Sequence, residues 1–306
     1  MTPNFKMTSA LVLTLVSSYA VAQGKPLISD ASNPPLLQSW MNTEVSAAWN
    51  QGFKGQGVTL IVLDDFKSKS GYYGNLGTGT QLLRHGEWTS KEAGMLAPLA
   101  TLQTQDFTSG TTVRLNSGLN VVNISYAMYA SAGYTASQIG WSAEEKSIIN
   151  YASTGAAIIS KAAGNDSVAV GGTNAAGKVD YLSLALKGTA SAIYVGALNS
   201  NGSTIKQATL ASYSNMAGTD ATVQKQFLTV GVEGSKTGLY GTSFAAPIIS
   251  GYAAILGSKF TNSNSAQITN QLLNTARQDT VSNYSAAVYG RGEASIARAL
   301  APVTIK

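Results

Sequence analysis

The chain contains no cysteine, and charged residues make up only 11% of its 306 positions. Without cysteine the protein has neither disulfide bonds nor a site for a lipid-modified cysteine. Its stability must therefore come from a buried core. The 44% of hydrophobic residues and the 31 glycines are typical of a globular, loop-rich α/β protein and argue against a disordered one.

Runs of like charge are also missing. The formal net charge of +5 is compatible with a nucleic-acid partner, but the 20 lysines and arginines are scattered thinly along the chain. The sequence has no basic run and no stripe of basic and aromatic residues, which are the usual signals of nucleic-acid binding. We therefore predict no nucleic-acid partner and interpret the charge as a mildly basic surface.

The longest uncharged apolar stretch near the N-terminus has the features of a secretory signal peptide. Lys6 is followed by the apolar segment Ser9–Val16 and then by Ala20–Ala22 (AVA), directly before Gln23. A positive region, an apolar region and an Ala-x-Ala site are the three parts of such a signal. The apolar region is too short to span a bilayer comfortably, and no later segment is long and apolar enough to do so.

These features predict how the chain is divided. We expect a signal peptide at residues 1–22, an extended leader at residues 23–35 and one folded domain at residues 36–306. The protein is then exported, to the periplasm or as a secreted protein, and has no membrane span once the signal is removed.

The alternation of strands and helices predicts an α/β fold with a parallel sheet that is covered on both faces. Apolar and β-branched runs predict buried strands at Val58–Leu63, more weakly at Leu99–Gln103, and at Leu119–Ser125, Ala156–Lys161 and Ala190–Leu198. Helical spacing predicts helices over Leu36–Asn50, Glu144–Thr154, Phe244–Leu256 and Ser265–Ala276. The glycine-rich segment Ser70–Thr80 is predicted to be a surface loop.

One serine stands at the mouth of a predicted helix. Gly241–Pro247 reads GTSFAAP and overlaps the apolar run Phe244–Leu256, so Ser243 lies at or near a helix N-terminus. Backbone N–H groups are unpaired there, and a serine in this place can attack a carbonyl while nearby amides hold the oxyanion. A serine that only caps a buried helix gives the same local pattern.

Three further kinds of residue are candidates for the chemistry: a histidine, two aspartates and an asparagine. His85 is the one histidine of the chain, so a serine nucleophile has no other histidine as its base; a structural role is the alternative. Asp64 and Asp65 follow a strand, and one of them can orient the histidine while the other serves in a turn. Asn165 can donate to an oxyanion, although Gly-Asn-Asp is also a turn sequence.

The order aspartate, histidine, asparagine, serine resembles that of the subtilisin-like serine proteases, the subtilases. The matching segments are Gly57–Asp64 (GVTLIVLD), His85–Gly86, Gly94–Leu102 (GMLAPLATL), Val121–Tyr126 (VVNISY), Ala162–Asp166 (AAGND), Val195–Gly218 and Gly241–Pro247 (GTSFAAP). The first of them selects Asp64 over Asp65. The resemblance covers most of the exported chain and implies a three-layer α/β/α sandwich with a mainly parallel central sheet, in which residues 36–306 form a peptidase domain.

The resemblance also implies a function, that of an exported serine endopeptidase. Ser243 is then the nucleophile, His85 the general base and Asp64 the carboxylate that orients it. Asn165 and the backbone N–H of Ser243 form the oxyanion hole. An extended protein or peptide substrate is expected to pair as an added strand with Ser125, Tyr126 and Ala127. This segment, together with Ala162, Ala163 and Gly164, is expected to line the pocket for the residue before the scissile bond.

One segment departs from the family and keeps an alternative open. Glu87–Glu92 (EWTSKE) is bulky and charged, where subtilases usually have small and β-branched residues. The alternative is a subtilase-fold binding protein that is catalytically weak or inactive. Sedolisins fit less well because they use a glutamate and an aspartate where this chain has His85 and Asn165. Esterases of the nucleophile-elbow kind need a Gly-x-Ser-x-Gly motif, which Ser243 lacks.

The implied chemistry requires no cofactor. Some subtilases bind structural calcium, but no Asp-x-Asp loop or carboxylate cluster in this sequence is specific enough to identify ligands. The sequence therefore assigns no metal site. We expect a monomer whose partners are its protein or peptide substrates.

Overall fold

The computed structural model describes residues 35–305. The predicted signal peptide and the predicted leader up to residue 34 lie outside the described residues, as does Lys306. The strands are β1 Val58–Asp64, β2 Tyr72–Gly74, β3 Gln81–Leu83, β4 Thr101–Asp106, β5 Leu119–Ile124, β6 Tyr129–Ser131, β7 Ile158–Ala162, β8 Lys178–Asp180, β9 Ala192–Leu198 and β10 Phe227–Gly231. The helices are α1 Glu44–Asn50, α2 His85–Leu96, α3 Ala143–Thr154, α4 Tyr181–Leu186, α5 Ala221–Gln226, α6 Gly234–Thr237, α7 Ala246–Lys259, α8 Ser265–Asn274, α9 Ala286–Tyr289 and α10 Ile296–Leu300.

Six strands of the described range form one sheet, in the order β10–β9–β7–β5–β1–β4. Every neighbouring pair in it is parallel. The two faces of the sheet contribute to two separate cores: in β1, Val58 and Leu60 belong to one, and Ile61 and Leu63 to the other. Helices α7 and α8 complete the first core, and α3 and α4 complete the second. The predicted three-layer α/β/α sandwich is therefore confirmed.

Helix α7 is buried along almost its whole length, because its residues are apolar or small. Gly251 lies where α7 packs against α2, and a Cβ at this position would lie 2.6 Å from the Cβ of Leu96. Only glycine allows the two helices to approach this closely. Since α2 begins at His85 and α7 follows Ser243, their close packing sets the relative position of these two residues.

The helix predicted over Leu36–Asn50 begins later, at Glu44. The side-chain oxygen of Asn42 accepts the Glu44 N–H at 3.0 Å, which forms the turn from which the helix starts. The preceding segment is held elsewhere, because the indole of Trp40 donates to the carbonyl of Leu76 at 3.1 Å. This tertiary contact keeps the segment before Glu44 out of the helix, although its apolar residues have helical spacing.

The prediction of a surface loop at Ser70–Thr80 was wrong in part. Strand β2 lies within this segment and pairs antiparallel with β3 to form a hairpin. Leu76 at its turn is fully buried, and the Asn75 N–H donates to the carbonyl of Thr237 at 2.8 Å. The hairpin is therefore packed onto the body of the protein. Strands of three residues are too short for their alternation to be recognised in a sequence.

Two other differences concern strands. The sixth strand, β10, was not predicted, and the weaker candidate Leu99–Gln103 lies two residues further along as β4. Strand β10 is fully buried, and its short apolar run does not distinguish a strand from a buried helix by periodicity. Among the described residues, no helix combines the length and the apolar character required to cross a bilayer.

Candidate active site

The parallel sheet brings two of the predicted site segments to one edge. The register pairs Leu63 of β1 with Ile124 of β5, and Ile124 with Lys161 of β7. The next residues along the first two strands, Asp64 and Ser125, therefore lie side by side at the carboxyl edge. This edge is where parallel α/β sheets hold their ligands.

Asp64 and His85 are in direct contact. The Nδ1 atom of His85 lies 2.6 Å from Oδ1 of Asp64, and both side chains are buried. The same carboxylate oxygen accepts the backbone N–H of Asp65 at 2.7 Å. A carboxylate at Nδ1 places the ring proton on that nitrogen and leaves Nε2 with a lone pair for accepting a proton.

A third donor to Asp64 was not foreseen from the sequence. The hydroxyl of Thr89 lies 2.9 Å from Oδ2 of Asp64 and 3.2 Å from the carbonyl of Gly86. Thr89 stands on α2, one turn after His85, which is why it reaches the same carboxylate. The one sequence feature that pointed to Thr89 was its position within the atypical segment Glu87–Glu92. A single sequence does not show which residue of that segment faces Asp64.

Asp65 has the turn role that the sequence left open for one of the two aspartates. Its Oδ1 atom accepts the backbone N–H groups of Lys67 and Ser68 at 3.2 and 2.8 Å. These bonds close the turn that leaves β1. Asp65 is nevertheless near enough to His85 for its charge to act on the imidazole.

The electrostatic surroundings favour the protonated form of His85. Burial by itself lowers the pKa of the imidazole, but the charge of Asp64, the hydrogen bond to Asp64 and the charge of Asp65 outweigh it. The pKa of His85 therefore lies above its ordinary value of 6.5. A raised pKa makes the ring a stronger base, and it also means that the neutral ring predominates only at a pH above this raised value.

Aromatic side chains hold the imidazole on two sides. The ring centroid of His85 lies 5.7 Å from that of Tyr72 in an edge-on arrangement and 5.4 Å from that of Phe244. The indole of Trp88, which is fully buried, donates to the carbonyl of Tyr72 at 2.8 Å. Tyr72 belongs to β2, so the hairpin that was predicted to be a loop supports the histidine.

The start of α2 is fixed by its own residues. The backbone N–H of Arg84 donates to Oε2 of Glu87 at 2.7 Å, and its guanidinium contacts Oε1 of the same side chain at 3.1 Å. The guanidinium also donates to the carbonyl of Ser68 at 2.9 Å. Arg84, directly before His85, therefore attaches the start of α2 to the turn after β1, and Glu87 holds Arg84 in place.

Ser243 lies in a 3₁₀ turn, Thr242–Phe244, that leads directly into α7. The predicted position at a helix N-terminus is confirmed. Gly241 before it has φ 125°, a backbone conformation that favours glycine. The Ser243 hydroxyl donates to the carbonyl of Ser125 at 3.1 Å, and the Ser125 hydroxyl donates to the carbonyl of Ser243 at 2.9 Å. Within residues 35–305 the Ser243 hydroxyl has no hydrogen bond to His85.

Asn165 lies beside the serine turn with its amide orientation determined by its partners. Its Oδ1 atom accepts the backbone N–H of Thr242 at 2.8 Å and the hydroxyl of Thr242 at 2.9 Å. Because a backbone N–H can only donate, the atom that faces it must be the oxygen. The NH₂ group of Asn165 therefore remains free to donate. The Ser243 N–H likewise donates to no residue within the described range.

Asn215, which lies in the family-like segment Val195–Gly218, holds the loop that carries Asn165. Its side chain donates to the carbonyl of Ala163 at 2.9 Å and accepts the N–H of Asp166 at 3.0 Å. Gly164 has φ 110°, and a Cβ there would lie 2.3 Å from the Asn215 amide. The loop therefore requires glycine at this position. The sequence did not assign a role to Asn215.

A pocket lies beside the serine, and we name it the Ser243 pocket. Its lining residues are Ser125, Tyr126, Ala127, Tyr129, Lys161, Ala162, Gly164, Asn165, Thr242 and Ser243. Five of the six predicted substrate-binding residues line it. The sixth, Ala163, is packed in the core. Tyr129 and Lys161 were not predicted.

Tyr126 lines the pocket, but its ring packs into the interior. Its ring centroid lies 5.4 Å from that of Phe107, and its hydroxyl reaches Oε1 of Glu144 at 3.4 Å. Burial, with the charges of Glu144 and Glu145, raises the pKa of the Tyr126 phenol well above its ordinary value. Tyr126 is therefore a packed core side chain and does not roof the pocket.

The structure adds no metal site to the sequence assignment. Among residues 35–305 no three acidic or histidine side chains lie close enough together to hold a metal ion. Calcium stays unassigned.

Comparisons with known proteins identify the family and the fold. A family model described as the subtilase family matches residues 79–292, which is more than half of the chain. The matched stretch contains His85, Asn165 and Ser243, and it begins after Asp64. No curated protein matches the chain in sequence.

Several solved protease structures have a similar fold. A lanthipeptide protease is 18% identical, with a TM-score of 0.56, over 83% of this chain and 90% of that chain. MycP1 from the ESX-1 type VII secretion system is 19% identical, with a TM-score of 0.54, over 89% of this chain and 88% of that chain. A protease from Pseudoalteromonas arctica is 17% identical, with a TM-score of 0.51, over 84% and 93%. At these identities the likeness concerns the fold.

Proposed function

Since the chain belongs to the subtilase family of serine proteases, we propose that it is an exported endopeptidase that cleaves peptide bonds through an acyl-enzyme on Ser243. The observation that carries the proposal is the buried contact of 2.6 Å between His85 and Asp64. This contact provides an oriented base at the carboxyl edge of the sheet. Ser243 is attached to the same edge, because its hydroxyl donates to the carbonyl of Ser125. Triads of this kind are recognised by geometry and by the role of each group.

Substrate binding is proposed to activate the nucleophile. In the resting structure the Ser243 hydroxyl donates to the carbonyl of Ser125. An extended substrate that pairs with Ser125–Ala127 brings a backbone N–H to that carbonyl. The substrate then displaces the hydroxyl, which turns toward Nε2 of His85 and transfers its proton as Oγ attacks the scissile carbonyl.

The triad carries the proton through both halves of the reaction. Asp64 stabilises the imidazolium that forms when His85 takes the proton of Ser243. His85 then gives this proton to the leaving amine, and the acyl group stays on Ser243. Water enters, His85 removes its proton, and hydrolysis of the ester regenerates the serine. Burial of Asp64 keeps its interaction with the imidazolium strong.

The oxyanion of each tetrahedral intermediate is proposed to accept two hydrogen bonds. The donors are the side-chain NH₂ of Asn165 and the backbone N–H of Ser243. The hydrogen bonds from Thr242 to Asn165 hold the amide in the donating orientation before substrate arrives. A donor oriented in advance costs no reorganisation during the reaction, which is the source of its large effect.

Two variants test the assignment with a peptide substrate. Ser243→Ala should abolish turnover and labelling by a fluorophosphonate probe, because both require the serine oxygen. Asn165→Ala should lower kcat by about 10²–10³-fold, the usual cost of one oxyanion donor, and still be labelled slowly. Wild-type turnover retained by Ser243→Ala would refute the proposal.

A binding protein with little or no catalysis is the second candidate. The observation in its favour is that the Ser243 hydroxyl contacts Ser125 and not His85. The two candidates differ in the reactivity of the serine, since only an activated serine reacts rapidly with a fluorophosphonate. Absence of labelling in a folded wild-type protein, with peptide binding retained, would favour the binding protein.

The remaining features of the proposal follow from the sequence. The protein is exported to the periplasm or secreted, acts on protein or peptide substrates as a monomer, and needs no cofactor for its chemistry. N-terminal sequencing of the exported protein should find Gln23 as its first residue. Thermal unfolding with and without a chelator tests for structural calcium, because removal of a bound ion lowers the Tm.

A further inference from the structure

We infer that the Ser243 pocket accepts only small, uncharged side chains in the residue before the scissile bond, those of glycine, alanine and serine. This inference rests on the proposed peptidase function and names the substrate class of the same site. It is carried by two side-chain bridges that join the two walls of the pocket, and by the space that they leave.

The first bridge is a buried ion pair. Lys161 Nζ lies 2.9 Å from Oδ2 of Asp180 and donates to the carbonyl of Ala162 at 2.8 Å. Asp180 also accepts the N–H of Met128 at 2.9 Å. Lys161 and Ala162 belong to one wall of the pocket, and Met128 directly follows the other wall, Ser125–Ala127. The ion pair therefore ties the two walls together.

The second bridge lies beside the first. The hydroxyl of Tyr129 donates to Oδ2 of Asp166, and the side chain of Asn174 donates to the other oxygen of this carboxylate at 3.2 Å. Tyr129 comes from the segment after the first wall, and Asp166 from the segment after the second. Burial and this hydrogen bond raise the pKa of the Tyr129 phenol. The phenol therefore stays a neutral donor, with its ring against the pocket.

The two bridges limit the size of the substrate side chain. The pocket is narrow, with room for about one water molecule between its walls. A methyl or hydroxymethyl group fits this space, whereas a leucine or phenylalanine side chain requires the Tyr129 ring or the ion pair to move. Displacing an ordered ring or a buried ion pair costs free energy that a small residue does not incur.

The same bridges exclude charged side chains. The Lys161 charge is balanced by Asp180, whose two oxygens also accept hydrogen bonds from Met128, Leu182 and Ser183. Both oxygens of Asp166 have donors as well. A negatively charged substrate side chain would therefore find Lys161 already paired, and a positively charged one would find Asp166 with a neutral donor on each oxygen. Neither gains a free partner, and burying a charge without one is unfavourable.

Peptides that differ only in the residue before the scissile bond test the inference. With alanine, leucine, phenylalanine, glutamate or lysine at this position, wild-type protein should cleave the alanine peptide with a kcat/KM about tenfold or more above the others. Tyr129→Ala should improve cleavage of the leucine and phenylalanine peptides relative to alanine. Tyr129→Phe, the matched control, keeps the ring but breaks the second bridge, so its preference should lie between those of wild type and Tyr129→Ala.

Each outcome separates the pocket from the catalytic proposal. Preferred cleavage after leucine, phenylalanine or a charged residue by wild-type protein would overturn the inference and leave the peptidase proposal intact. An unchanged preference in Tyr129→Ala would overturn the role of Tyr129. If no peptide is cleaved, the peptidase proposal fails. Calorimetry with Ser243→Ala and peptides ending in alanine or leucine then tests the size limit of the pocket. Tighter binding of the alanine peptide supports this limit, and equal or tighter binding of the leucine peptide overturns it.

Discussion

Replacing Thr89 by valine removes one hydroxyl and almost preserves the shape of the side chain. In the structure this hydroxyl lies 2.9 Å from Oδ2 of Asp64, whereas His85 Nδ1 and the Asp65 N–H both contact Oδ1. Thr89→Val therefore leaves Oδ2 without a partner among the described residues. Since Asp64 is only 2% exposed, water has little access to replace the lost hydrogen bond.

The size of the effect follows from the charge of the acceptor. A hydrogen bond to a charged group contributes about 1.5–3 kcal/mol. If this loss falls on the transition state, in which Asp64 stabilises the imidazolium of His85, kcat/KM drops by about 10- to 150-fold, since 1.36 kcal/mol is a factor of ten. If it falls on the folded state instead, the free energy of unfolding drops by up to about 3 kcal/mol.

The assay compares two substitutions at the same position. Thr89→Ser keeps the hydroxyl and loses a methyl group, so it should retain kcat/KM close to that of wild type, while Thr89→Val should not. We would measure kcat/KM on a peptide substrate between pH 6 and 10 and the free energy of unfolding in urea. Wild-type activity and stability in Thr89→Val would refute the reasoning. Equal losses in both variants would assign the effect to packing.

Three further predictions concern charged groups. Asp65→Asn removes one of the charges that raise the pKa of His85, so the acid limb of the pH–kcat/KM profile should move to lower pH; an unmoved limb would contradict His85 as the titrating base. Glu92 is buried with Oε2 unpartnered among the described residues, and burial raises its pKa well above the ordinary value. Because the pKa of Glu92 is higher in the folded than in the unfolded protein, the free energy of unfolding falls as the pH rises above the unfolded-state pKa. Glu92→Gln should therefore stabilise the protein against urea more at pH 8 than at pH 4. An equal effect at both pH values would refute this. Lys161→Met leaves the buried charge of Asp180 unpaired and should lower the free energy of unfolding by about 3–5 kcal/mol. The double variant Lys161→Met/Asp180→Asn should lose less, and an equal loss would exclude charge imbalance as the cause.

Much of the central sheet could be predicted because its strands are buried on both faces. Runs such as Val58–Leu63 are continuous and apolar, which is the property that a local window detects. The stop of α3 was equally local: Gly155 has φ 70° at the helix end, a conformation that favours glycine. The short hairpin of β2 and β3 lacked such a signal. Its stability comes from contacts with residues far along the chain, such as Thr237.

The role of the segment Glu87–Glu92 depends on contacts with residues that are distant in the sequence. The sequence showed that these residues are bulky and charged, which kept open a catalytically weak or inactive binding protein. The structure shows Trp88 bonded to Tyr72 and Thr89 bonded to Asp64. Both contacts support the position of His85, and neither is visible in a sequence because the partners lie 16 and 25 residues away.

The sequence by itself determined the residue types available for chemistry, their order along the chain and the strand ends at which they stand. It also placed Asp64 and Asp65 at the end of a predicted strand, and parallel α/β sheets hold their ligands at that edge. Only the tertiary structure decided which donors reach each oxygen of Asp64, that the Tyr126 ring packs against Phe107, and that Tyr129 and Lys161 join the lining of the Ser243 pocket. The direction of a side chain depends on what packs around it, and those neighbours come from distant parts of the chain.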